Sequence, residues 1–215
     1  MHLFIIFTSE RGLCGAFNSS VIKQVRQEIL NLENNNKKIK LIIIGKKGYE
    51  ILQSKYTEYI DSYFNINAYN YDLVLSQLRY KILNFSSNDI VGNCYLFFNK
   101  FQNAVLSKVT KLQLLPFKTF PHDYCDNKYQ NAAGYYEYEG SQCVANSISL
   151  YIKAQLNNAL VHSNASEEGA RMTAMEGATK NAHKIIGELT LKFNRARQGI
   201  ITKELIEIIS GAEVV

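Results

Sequence analysis

The sequence predicts an α/β fold: an open, mainly parallel sheet with helices, followed by one long C-terminal coiled-coil helix. Three observations carry this. Short apolar runs at residues 2–8, 39–44 and 94–98 alternate with amphipathic stretches at helical spacing, the pattern of strand–helix–strand units. Residues 147–211 contain no proline, and the interior glycines (Gly169, Gly177, Gly187, Gly199) are single and widely spaced. Each weakens a helix by about 1 kcal/mol without ending it. The centre of that stretch repeats at alternating steps of three and four: Met172, Met175, Thr179, Ala182, Ile186, Leu189, Phe193, Ala196, Ile200. All but Thr179 are apolar, which makes a coiled-coil seam rather than a docking face. As one helix the stretch would run ~90 Å at about 1.5 Å per residue, longer than a small domain can bury. Small residues (Ala165, Ser166, Gly169, Ala170, Ala174, Ala178) crowd its N-terminal half, where a partner helix can come close.

In chain order, residues 2–8 form a continuous apolar run and read as a buried strand. A glycine-bearing turn follows at 9–18. Asn18 or Ser19 is placed to cap a helix whose apolar face is Ile22, Val25, Ile29 and Leu32. A polar connection at 34–38 leads to a second buried strand, 39–44, closed by Gly45 and Gly48. A short helix at 49–55 precedes a weaker strand near 57–60. Tyr71, Val74, Leu75, Leu78, Ile82 and Phe85 mark another amphipathic helix. Residues 94–98 read as a fourth strand and 105–115 as a fifth. The polar, tyrosine-rich region after Phe117 reads as a loop. The organisation is therefore an α/β domain at 1–118, a connecting loop at 119–146 and a long helix at 147–215.

Composition narrows the function classes. The chain has 215 residues, 47% of them hydrophobic, and a net charge of +5. That charge is spread over the chain without a basic block, so nothing prompts a nucleic-acid partner. Cys14, Cys94, Cys125 and Cys143 lie far apart, with neither metal-ligand nor redox spacing, and a reducing cytosol is the default. The opening apolar residues lack a positive start and run into Glu10 and Arg11; they read as a strand, not a signal peptide. No apolar run approaches the ~20 residues of a membrane span, so membrane association would be peripheral.

Few residues invite chemistry. Gly12 and Gly15 sit where phosphates would meet a helix N-terminus. The pattern is not GxGxxG, however, and has no Gly-Lys-Ser/Thr ending. A tight strand-to-helix turn accounts for the glycines. Cys14 has no nearby His or Asp in sequence and reads as a small packed residue. His2, His122, His162 and His183 show no ligand spacing. The pairs Glu167/Glu168 and Glu137/Glu139 read as surface carboxylates. No cofactor or metal is expected. More distinctive is the polar set Asn194, Arg195, Arg197, Gln198, Thr202 and Lys203, placed where the seam gives way to an apolar tip at 205–209. It reads either as a solvated face or as a patch offering planar, multi-donor groups to a partner's carboxylates.

Two stretches resemble one family. They are SERGLCGAFN at 9–18 and ASEEGARMTAMEGATKN at 165–181, the second continuing through IGEL at 186–189, FNRARQ at 193–198, ITKE at 201–204 and IISGA at 208–212. NKF at 99–101 and QLLP at 113–116 also fit. Together they resemble the gamma subunit of the rotary F-type ATP synthase along the whole chain, most weakly at 53–93 and 118–150. The resemblance implies a non-catalytic rotor that couples proton flow to ATP synthesis or hydrolysis on partner subunits. Its Rossmann-like domain would sit against the membrane c-ring and the epsilon subunit, on the cytoplasmic face of the bacterial inner membrane. Its long helices would rise into the hexamer of alpha and beta subunits. By the same resemblance Arg197, Gln198 and Thr202 match positions that engage acidic loops of the catalytic subunits. Arg171 matches a position tied to coupling, and Tyr136 and Tyr138 lie where the family meets the ring and epsilon.

One departure is large. Family members open with a long helix that pairs antiparallel with the C-terminal one, whereas this sequence starts at the first strand. The missing half would come from chain upstream of Met1, be lost through a broken gene, or be supplied from elsewhere. Two other classes compete with the rotor: a nucleotide-binding α/β enzyme with a helical dimerisation arm, and a coiled-coil adaptor that self-associates along the seam. Tight binding of ATP or NAD by the chain alone would mark the enzyme, and concentration-dependent dimers without an ATPase partner would mark the adaptor.

Overall fold

A computed structural model describes residues 1–67, 69–87, 92–117 and 141–212. Five strands, β1 (His2–Phe7), β2 (Ile39–Ile44), β3 (Ile60–Phe64), β4 (Asn93–Phe101) and β5 (Ser107–Leu115), form one sheet in the order β3-β2-β1-β4-β5. The first four run parallel, while β5 pairs antiparallel with β4. The connection between β4 and β5 is too short for a parallel crossover, which needs a dozen or more residues, so β5 returns as a hairpin.

Side-chain alternation along β1 sorts the core into two layers. Phe4 and Ile6 face helix α1 (Phe17–Glu33) through Val21, Ile22, Val25 and Ile29, and helix α2 (Lys46–Tyr56) through Leu52. Leu3, Ile5 and Phe7 face helix α3 (Tyr71–Ser87) through Val74, Leu75, Leu78 and Ile82. The same face receives helix α4 (Ser141–Ala212) through Ile152, Leu156, Ala159 and Leu160. The sheet is thus covered on both faces, as a mainly parallel sheet requires.

Several boundaries differ from the sequence reading, α2 beginning at Lys46 rather than Tyr49 among them. Residues 57–59 are a 3-10 turn and the strand follows at Ile60–Phe64; every side chain of this edge strand is only partly buried, so it carries no apolar run. Asn18 does not cap α1: Ala16 holds that position without a side-chain cap bond. Residues 141–146, expected in the connecting loop, belong to α4, since no glycine or proline lies there to stop a helix. The chain divides into two compact units, Met1–Met172 and Thr173–Val215, and α4 contributes to both. In the first unit α4 is buried on the sheet. In the second, Ile186, Leu189, Phe193 and Ile200 of the expected seam are exposed.

Candidate functional site

The turn leaving β1 is fixed by an internal polar network. The side chain of Asn18 accepts from the Ser9 amide at 3.0 Å and donates to Ser9 Oγ at 2.7 Å and Cys14 Sγ at 3.2 Å. Ser9 Oγ donates to the Arg11 carbonyl at 2.6 Å. These bonds hold Leu13 (φ 63°) and Gly15 (φ 55°) in the left-handed region. That suits glycine but strains leucine, and Leu13 is nonetheless 75% exposed. Cys14 is buried inside the network as a packed residue.

Beside this turn, at the C-terminal ends of β1 and β2, lies a cavity of about 310 Å³ lined by Thr8, Glu10, Asn67, Tyr71, Glu167 and Arg171, among others. Open α/β sheets commonly bind ligands at this edge. Here the anion position is taken by the chain itself: Glu10 accepts the Lys46 amide at 3.1 Å, at the N-terminus of α2, and the Ile66 amide at 2.9 Å. A carboxylate thus satisfies an unpaired amide at the positive end of that helix. Across the cavity, Arg171 donates to Glu167 at 2.5 Å and Glu168 at 2.6 Å. Burial holds the Glu167 carboxyl above its ordinary range despite the guanidinium beside it, and the hydrogen bond to Glu167 raises Arg171 further. This is an ion-paired seat rather than a poised acid–base pair. Among the described residues no group of three His, Cys, Asp or Glu could hold a metal ion. No described helix is long and apolar enough to cross a membrane.

Comparison with known proteins decides the family. The family model described as ATP synthase matches residues 1–215. The ATP synthase gamma chain of Rickettsia canadensis is 52% identical over 215 residues, covering 100% of this chain and 73% of that one. The chain belongs to the ATP synthase gamma-chain family. Another relative, the gamma chain of Rickettsia akari, is 53% identical over 213 residues, covering 99% of this chain and 72% of its own length. Two solved structures share the gamma-chain fold. A chain of the Euglena gracilis mitochondrial ATP synthase (OSCP/F1/c-ring, rotational state 3) matches with TM-score 0.73 at 19% identity, over 99% of this chain and 72% of that one. A chain of the Tetrahymena thermophila mitochondrial central stalk/c-ring matches with TM-score 0.64 at 24% identity, over 83% and 76%.

In this gamma-family chain Arg197, Gln198 and Thr202 are exposed on α4 in the second unit. Thr202 Oγ1 donates to the Gln198 carbonyl at 2.8 Å, so the two share one face, as residues four apart do. Arg171 lies in the first unit, its fork engaged by carboxylates of its own helix. Tyr136, Tyr138, Glu137, Glu139, His122 and Cys125 lie outside the described residues. His162 stacks on Phe98 at 6.3 Å. Sequence reasoning missed Glu10 as the occupant of the α2 N-terminus, because its partners are 36 and 56 residues away. Only the coincidence of an acidic residue after β1 with a glycine-started helix after β2 hints at it.

Proposed function

We propose that this chain is the central-stalk rotor subunit of an ATP synthase complex, coupling proton flow through the membrane sector to ATP synthesis or hydrolysis on partner subunits. It is not catalytic by itself. In this reading the α/β domain at 1–118 is the foot, residues 119–140 the connection, and α4, from Ser141 on, the shaft. The partners are the alpha and beta subunits of the catalytic hexamer, the epsilon subunit and the c-ring. The chain sits peripherally on the cytoplasmic face of the bacterial inner membrane, without nucleic acid or a small-molecule substrate of its own. Tyr136 and Tyr138 serve the foot, and Arg171, Arg197, Gln198 and Thr202 serve contacts along the shaft. The family match along all 215 residues is the observation that carries the reading.

The physical chemistry of the exposed patch supports it. A guanidinium and an amide on one stretch of helix offer planar, multi-donor groups to carboxylates, and Arg197 and Gln198 are exposed. Rotation of an asymmetric shaft would bring that patch to each catalytic subunit in turn. The nucleotide-binding enzyme is not favoured, since the family match runs along the whole chain. Purification of the tagged chain from native membranes tests the reading. It should bring down a hexameric ATPase, while the chain alone neither hydrolyses ATP nor binds ATP or NAD at micromolar concentration in calorimetry. Hydrolysis or tight binding by the chain alone would restore the enzyme.

A further inference from the structure

The turn between β4 and β5 is braced by its own side chain. Asn103 Oδ1 accepts the Val105 amide at 3.0 Å and the Leu106 amide at 2.7 Å. The Asn103 amide donates in turn to the Leu106 carbonyl at 3.1 Å. Ala104, inside this turn, is held in place. Helix α4 meets the hairpin at two points one helical turn apart. Ser166 Oγ donates to the Asn99 carbonyl of β4 at 3.1 Å, a buried bond. The exposed hydroxyls of Ser147, Thr179, Thr190 and Thr202 instead donate to the carbonyl four residues back on α4 itself. At Gly169 an added Cβ would stand 2.7 Å from the Ala104 carbonyl oxygen, closer than packed atoms stand. Glycine weakens a helix relative to alanine, and Gly169 is not in the left-handed region. Close approach of the two backbones is the reason left for it; at Gly177, Gly187 and Gly199 a Cβ would meet nothing within 4 Å. Both contacts lie in the first unit, which ends at Met172. Among the described residues Ser166 is the last buried residue of α4.

The rest of α4's seat, Ile152, Leu156 and Leu160, is apolar. Apolar burial is non-directional, so it resists separation better than sliding. A hydrogen bond has a preferred length and angle, and a backbone set against a braced turn is a steric stop; both oppose sliding. We propose that Ser166 and Gly169 are positioning residues. They clasp α4 to the β4–β5 hairpin close to where the helix leaves the first unit, so that load on α4 passes into the sheet without slip. The mechanical consequence rests on the rotor reading; the clasp itself does not.

The test uses Gly169→Ala and Ser166→Ala, each in the full chain and in the assembled complex. Alanine favours a helix over glycine, so in a slack seat Gly169→Ala would slow amide exchange around it. The clasp predicts the opposite: exchange at 102–106 and 163–170 at least fivefold faster. Ser166→Ala, which adds no bulk, should move exchange in the same direction by less. In membrane vesicles, ATP hydrolysis with the gradient collapsed by an uncoupler should be unchanged. Protons pumped per ATP hydrolysed against a gradient should fall about twofold for Gly169→Ala and less for Ser166→Ala. Slower or unchanged exchange in both variants would overturn the clasp. Uncoupled hydrolysis and pumping that fall in equal proportion in both variants would mark a folding defect and overturn the positioning role, as would faster exchange with an unchanged pumping ratio. If the wild-type chain supports no pumping, the rotor reading fails, and exchange still decides whether the clasp holds α4.

Discussion

Asp61 and Glu167 are both partly buried carboxylates paired with cations, yet they titrate in opposite directions. Burial pushes Asp61 up, but hydrogen bonds from Lys40 at 2.9 Å and Lys81 at 3.0 Å outweigh it, and the carboxyl ends below its ordinary value of 3.8. At Glu167 burial wins over Arg171, and the carboxyl ends above 4.5. The linkage signs follow. Asp61 adds stability above its unfolded pKa and loses it as pH falls through the lower folded value. Glu167 is favoured in its protonated form and loses stability as pH rises through its raised folded value. Asp61→Asn should therefore be less stable than wild type at pH 7, by about 1 kcal/mol for a partly exposed pair. That gap should close in acid. Glu167→Gln should gain on wild type as pH rises from below 4.5 toward neutrality. Urea titrations at several pH values check both, and parallel shifts in the two variants would contradict the assignment. Neither direction could be read from the sequence. Lys40 and Lys81 are 21 and 20 residues from Asp61, and Ser166 reaches Asn99 across 67. Arg197, Gln198 and Thr202 stood out earlier because they lie together on one helix.

Elements were legible where a single period dominates. β1 and β2 are apolar but for His2 and Lys40, and buried but for Lys40, and α1 shows its buried face as Ile22, Val25 and Ile29. β3 was misplaced because an edge strand with Asp61 and Ser62 has neither an apolar run nor a clean alternation. The cap of α1 was misassigned because Asn18 serves the preceding turn, a choice set by where Ser9 and Cys14 fall in space. The seam of α4 was legible from its heptad spacing, and the structure leaves it uncovered in the second unit: Phe193 is 66% exposed and Ile186 59%. Each large apolar side chain is worth about 1.5–3 kcal/mol when buried, and exposed stripes of this kind promote association. The purified 215-residue chain should therefore self-associate or fray beyond about Met172, with the sheet domain still folded. A peptide of the pairing helix taken from a relative should raise helicity beyond the sum of the parts and suppress association. Sedimentation and circular dichroism check this; a monodisperse monomer, helical to Ile209 without a partner, would show that the seam needs no second helix.

For the whole molecule the fold class was legible because alternation of strands and helices sets it, whereas function became legible only through motifs shared with a family. The α/β domain by itself suggested a nucleotide enzyme, and it is the family match along the whole chain that decides against that. On the rotor account, Arg197→Ala should lower ATP turnover of the assembled complex while leaving this chain's circular dichroism and melting unchanged. A charge-assisted hydrogen bond is worth roughly 1.5–3 kcal/mol, so the loss should be graded and deepen when Gln198 is also replaced. Melting of the isolated chain by Arg197→Ala would mark the patch as structural instead. The central claim is that the chain turns. With the catalytic hexamer immobilised and a bead fixed to the sheet domain, addition of ATP should drive continuous rotation in one direction that stops when ATP is removed. A complex that retains the chain and hydrolyses ATP while the bead shows only undirected thermal motion would contradict the account.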